Sequence, residues 1–171
     1  YSTEALGAAM AVMGVFWVPM ALLQQVASYV LTFVAQYYGA KEFSKIGNCV
    51  WQAIYVSIFG GILFLGLNFF STWFFAQVGH SESIQHLEVE YFNSLTYSAL
   101  PTALVAAISG FFTGLGKTQT VIGINLVGLL LNVILDYMMI FGNFGSPAFG
   151  IAGAGYATSI ASYGAALYGF Y

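Results

Sequence analysis

Five stretches of this chain read as long, mostly apolar runs: about Ala8–Ala35, Gly47–Val78, Tyr91–Leu115, Thr118–Phe141 and Ala148–Tyr171. A helix rising 1.5 Å per residue crosses the hydrocarbon core of a bilayer in about 20 apolar residues, so each run predicts a membrane-spanning helix. Strands of a membrane barrel would alternate with a period of two over about ten residues. These runs are longer and do not alternate. The fold class they predict is all-α, a polytopic transmembrane helix bundle with five spans. The rest of the composition agrees, since only 5% of residues are charged and 60% are hydrophobic. A soluble domain carries about 25% charged residues. Twelve Tyr and three Trp suit a protein with two lipid–water interfaces. A net charge of −3 with no Arg leaves no basic patch, which excludes nucleic acid as a partner.

The few charges predict an orientation. Lys41 and Lys45 follow the first run and Lys117 follows the third, so chain order puts all three lysines on one side of the membrane. The other side receives Glu4, the acidic segment His80–Glu90, read as a solvated loop, and the uncharged turn GNFGSPAFG. Lysines favour the cytoplasmic side, so the Lys41, Lys45 and Lys117 loops are expected there, with the runs in the lipid bilayer. The chain begins at Tyr1 and ends at Tyr171 within an apolar run, and is expected to be part of a longer membrane protein.

Asp136 is the only aspartate, and from Lys117 onward it is the only charged residue. A carboxylate at the centre of a lipid-facing helix costs about 2.5–3.5 kcal/mol on insertion scales. It is kept where a cavity, an ion or a partner compensates it, and so marks proton or cation handling. Helical periodicity stacks Asn132 and Asp136 on one face, with Gly128 and Asn125 within about 60° of that line. Asp136 lies about one and a half turns from the helix end at Phe141, too deep for a short side chain to reach headgroups easily. In the next run Gly150, Ala154, Thr158, Ser162 and Ala166 recur every fourth residue, a small-residue stripe that permits close helix approach. An antiparallel neighbour would bring Ala154 and Thr158 to depths of about 6 and 12 Å, bracketing Asp136. A hydroxyl, a carbonyl, an amide and a carboxylate offer oxygen ligands, which suit a hard cation such as Na⁺. Protonation is the alternative, because it removes the desolvation penalty of a buried carboxylate.

Other residues have weaker readings. Pro19 and Pro101 are expected to kink their helices, with Ser98 and Thr102 placed to compensate the freed backbone. Gln24 and Gln25 lie mid-span, and at least one is expected to face inward as packing glue or cavity lining. Tyr97 is a candidate to reach the site with its hydroxyl, set against an aromatic that only fills the bundle. Cys49 stands alone and reads as a core residue. His80 and His86 with the nearby glutamates match no tight metal-ligand spacing. GLGKT lacks the spacing of a phosphate loop and has no strand before it. No nucleophile–base pair or metal diad lies at depth, so the chain reads as a non-enzyme without a cofactor.

The stretch GLGKTQTVIGINLVGLLLNVILDYMMIFGNFGSPAFGIAGAGYATSIASYGAAL resembles the fourth-to-sixth helix region of the multidrug and toxic compound extrusion (MATE) family. The shared pattern is G-x-G-x-T, then N-x-x-x-D/N, then G-x-x-G-a-a-x-A-T. Upstream, VAQYYGAKEFSKIG resembles the family motif that closes its second helix. The resemblance implies residues 1–171 are helices two to six of the N-terminal lobe of a twelve-helix, two-lobe transporter. The first helix, with a further acidic residue, and the C-terminal lobe would lie outside this chain. It implies a secondary antiporter that exports small organic, often cationic, substrates in exchange for H⁺ or Na⁺, in a bacterial inner (plasma) membrane. The implied ion-coupling residues are Asp136, Asn132, Thr158 and the backbone of Ala154, with Tyr97, Gln24, Gln25 and Asn125 as possible cavity lining. Two other readings compete: a flippase for lipid-linked oligosaccharides, and a non-transporting assembly subunit in which Asp136 pairs with a partner's basic residue. The first expects Arg or Lys inside its spans, and no run here has either.

Overall fold

The computed structural model describes residues 3–171, with side chains from Ala5 onward. Its helices are α1 (Thr3–Ser28), α2 (Val30–Gly39), α3 (Phe43–Ala76), α4 (Glu82–Thr96), α5 (Ala99–Gly114), α6 (Thr118–Phe141) and α7 (Gly150–Phe170), with one 3-10 turn at Asn143–Gly145. No strand occurs among the described residues, which bears out the predicted class. By length and apolarity three of the described helical segments can cross a bilayer: Ala5–Gly39, which joins α1 and α2, then α3 and α6. The α4–α5 pair makes a fourth if its two bent halves are one span. The fifth predicted span, α7, is long enough at 21 residues, but its Gly, Ala and Ser content leaves it outside that set.

At the first predicted kink the chain stays helical. α1 runs through Pro19 and is interrupted ten residues later at Tyr29. There Ser28 Oγ donates to the Gln25 carbonyl (3.1 Å), and Thr32 N bonds Tyr29 O in a tightened turn (3.0 Å). Gly110 of α5 packs on this break, where an added Cβ would press on the Ser28 carbonyl. The second kink does form. α4 and α5 meet at 41° across Tyr97–Ser98, four residues before Pro101, where the proline ring excludes the carbonyl of residue i−4. The expected compensation of the freed Tyr97 carbonyl is not made by either side chain: Ser98 Oγ donates to Leu95 O at 2.7 Å, and Thr102 Oγ1 to Ser162 Oγ.

The connections explain the remaining ends. Gly116 closes α5 in the left-handed region (φ 75°), and Lys117 N reaches back to Phe112 O at 2.8 Å, a common helix stop. Phe111 and Leu115 line a pocket with Tyr38 and Phe43, so the two lysine-bearing connections lie side by side. The largest apolar cluster joins α1, α3 and α4 through Phe16, Phe64, Phe75, Phe92 and Leu95. The predicted solvated loop at His80–Glu90 is mostly helix instead, because α4 starts at Glu82 and turns Glu88 fully inside.

Candidate functional site: a polar cavity between three helices

α6 and α7 form the most extensive helix pair, and glycine lets their backbones approach. Gly150, the first residue of the predicted stripe, is exposed with open space around it, whereas Thr158 of the same stripe meets Asn132 of α6. The close points are Gly153, against the backbone of Met139, and Gly164, against Leu131. α7 carries small residues on more than one face. It packs on α6 with one side and on α4 with another, where Gly155 lies against Ser94 and Ser159 Oγ donates to Ser94 O at 3.2 Å.

This packing brings the predicted residues of α6 and α7 together. Asn132 Nδ2 donates to Thr158 Oγ1 at 3.4 Å, and Thr158 Oγ1 donates to the Ala154 carbonyl at 2.9 Å. Donation through Nδ2 leaves the Asn132 amide oxygen available as a ligand. Asp136 stands one turn further along the same face, half-buried, and its Oδ1 is buried without a hydrogen-bond partner. Buried polar atoms are nearly always paired, and an orphan carboxylate oxygen is costly enough to need a reason. No lysine supplies one on this helix, since Lys117 lies 19 residues away, about 28 Å along the axis. The Asp136 carboxylate and, one turn away, the Asn132 amide oxygen, Thr158 hydroxyl and Ala154 carbonyl are oxygen groups of the kind that hold a proton or a hard cation.

A cavity of about 270 Å³ opens between α5, α6 and α7, and neither Asp136 nor Ala154 is among its lining residues. Asn125, Gly128, Asn132 and Thr158 line it, so the predicted position of Asn125 on the stripe is seen. Two further lining residues went unrecognised: Thr102 of α5 bonds Ser162 of α7 at 3.3 Å across the cavity. The available signals were Thr102's place beside Pro101 and Ser162's place one turn after Thr158. Three expected lining residues are not brought here. Gln24 is half-buried and Gln25 exposed on α1, neither of them lining this cavity, because α1 packs against α3, α4 and α5. Tyr97 sits at the α4–α5 bend, 48% exposed, with its ring 6.2 Å from that of Tyr156.

These features define a helical integral membrane protein with a polar cavity between three of its helices. The MatE family model matches residues 1–138, and the chain belongs to that family. A probable multidrug resistance protein NorM of Listeria innocua serovar 6a is 30% identical over 162 residues, covering 94% of this chain and 35% of that protein. The chain thus spans about a third of the length of the curated relatives it matches. Among solved structures, a MATE protein in complex with MaD5 superposes with a TM-score of 0.89 at 23% identity, over 99% of this chain and 38% of that one. The lipid II flippase MurJ, in an inward closed conformation, shares the fold at a TM-score of 0.81 and 18% identity, over 99% and 36% of the two chains. A multidrug resistance MATE family transporter in an inward-facing conformation shares the fold as well, at a TM-score of 0.87 and 23% identity.

Proposed function

We propose that this chain is helices two to six of the N-terminal lobe of a secondary antiporter, which exports organic, often cationic, compounds in exchange for H⁺ or Na⁺. The observation that carries this reading is the orphaned Asp136 Oδ1, one turn from the Asn132–Thr158–Ala154 hydrogen-bond chain. A proton or a Na⁺ at Asp136 satisfies that oxygen and cancels its charge. The loaded and empty states then favour different packings of α6 on α7. A ligand shifts a two-state equilibrium only through its differential affinity, and a carboxylate that is dry in one state and wet in the other provides one. The lysine-bearing connections would face the cytoplasm of a bacterial inner membrane, by the bias of cytoplasmic loops toward Lys. The names of the NorM relatives support multidrug compounds as the cargo. The flippase reading loses ground because the three lysines are exposed near helix ends and none lines the cavity.

The test is dye efflux from cells expressing the full-length parent or its Asp136→Asn variant, with the proton and Na⁺ gradients collapsed in turn. The proposal expects efflux to fall at least tenfold in the variant at unchanged expression, and one of the two collapses to stop the wild type. Undiminished efflux in the variant would place coupling elsewhere in the parent.

A further inference from the structure

A second buried acid is not among the residues that line the cavity. Glu88, in the second turn of α4, has a side chain with 0% exposure. Its Oε1 is 2.7 Å from His80 Nδ1, and its Oε2 is buried with no hydrogen-bond partner. The His80 side chain is 41% exposed, so one end of the pair is dry and the other meets water. The α4 neighbours Leu87, Tyr91 and Phe92 belong to the main apolar cluster, which supplies no water to the free oxygen.

No other described cation answers this carboxylate. α4 packs against α1, α3 and α7. α1 carries a single ionisable residue, Glu4, whose side chain lies outside the described residues. On α3 the ionisable groups are Lys45, Cys49 and Tyr55, all in its first half, whereas α4 follows its last residue. On α7 the groups are Tyr156, beside Tyr97 at the far end of α4, and then Tyr163 and Tyr168. On α4 itself Glu82, His86 and Glu90 are exposed, with His86 Nδ1 3.9 Å from Glu90, and Tyr91 is buried. A buried carboxylate whose charge no described cation offsets is strongly unfavourable, and a proton gained by its imidazole partner offsets that charge.

We propose that His80 and Glu88 form a proton-binding site separate from Asp136, which takes one proton from the water at the α3–α4 connection and, when loaded, pins that connection onto α4. The incoming proton adds to imidazole Nε2 while the Nδ1–H remains donated to Glu88 Oε1. The product is a neutral imidazolium–carboxylate pair, with no other bond made or broken.

The test is the unfolding temperature of the full-length parent in lipid nanodiscs, at about pH 5.5 and about pH 8.5. The series comprises His80→Gln, Glu88→Gln and the double variant, all made in an Asp136→Asn background. That background removes the proposed coupling proton, so the outcome does not depend on the antiport reading. At the lower pH each single change should lower the midpoint by about 2 °C or more, and the double by no more than either single. At the higher pH Glu88→Gln should cost nothing, because it removes a buried uncompensated charge. Additive losses, equal losses at the two pH values, or no loss at either would overturn the proposal.

Discussion

The Thr158 hydroxyl both accepts from Asn132 and donates to Ala154, so one atom joins the two helices that hold the candidate ion site. Thr158→Val keeps the shape and deletes that atom. It should weaken the apparent affinity for the coupling ion about tenfold, equivalent to ~1.4 kcal/mol, while Thr158→Ser stays near wild type. The check is the ion concentration at half-maximal transport by the full-length parent; equal values for the Val and Ser variants would remove Thr158 from the site. This part of the site was legible because a lone acid in an apolar run has few explanations, and because helical periodicity places Asn132 under it. Thr102 and Ser162 were less legible, since pairing across helices depends on the rotation of α5 and α7, which no single run encodes. Glu88 was misread for a related reason. An acidic, histidine-containing segment resembles a loop by composition, and only the helix start at Glu82 decides which of its glutamates turns inward.

At the scale of the element, α7 shows why small residues are needed on more than one face. An added Cβ at Gly153 would meet the carbonyl and amide of α6 at Met139 and Ile140, which cannot rotate away. At Gly164 it would meet only the Leu131 side-chain tip, which can. Gly153→Ala should therefore destabilise the bundle by about 1–3 kcal/mol and lower the unfolding midpoint of the parent, with Gly164→Ala close to neutral. Thermal unfolding in detergent separates the two, and equal effects would contradict the packing described for α6 and α7. Periodicity alone favoured a stripe from Gly150 to Ala166, but α7 is so uniformly small that several faces satisfy the same pattern. The bend at Tyr97–Ser98 was legible from Pro101 because its cause is local. Pro19 carries the same chemistry, yet α1 stays helical through it and the break comes at Tyr29.

For the whole molecule, apolar run length conveyed the helical bundle and chain order conveyed the grouping of the lysines. The helix-to-helix contacts and the cavity required coordinates. The proposed sidedness has a direct check in the parent made free of other cysteines, including Cys49→Ala. A cysteine at Ser83→Cys should react with an impermeant maleimide in intact cells, and one at Lys117→Cys only after permeabilisation; the reverse pattern would invert the orientation. The central claim is that Asp136 binds the coupling ion. The most direct measurement is ion stoichiometry on the purified full-length parent, counting protons taken up or Na⁺ bound per molecule for wild type and Asp136→Asn. The account predicts that the variant loses one ion equivalent while remaining folded. Identical stoichiometry in the two proteins would contradict it.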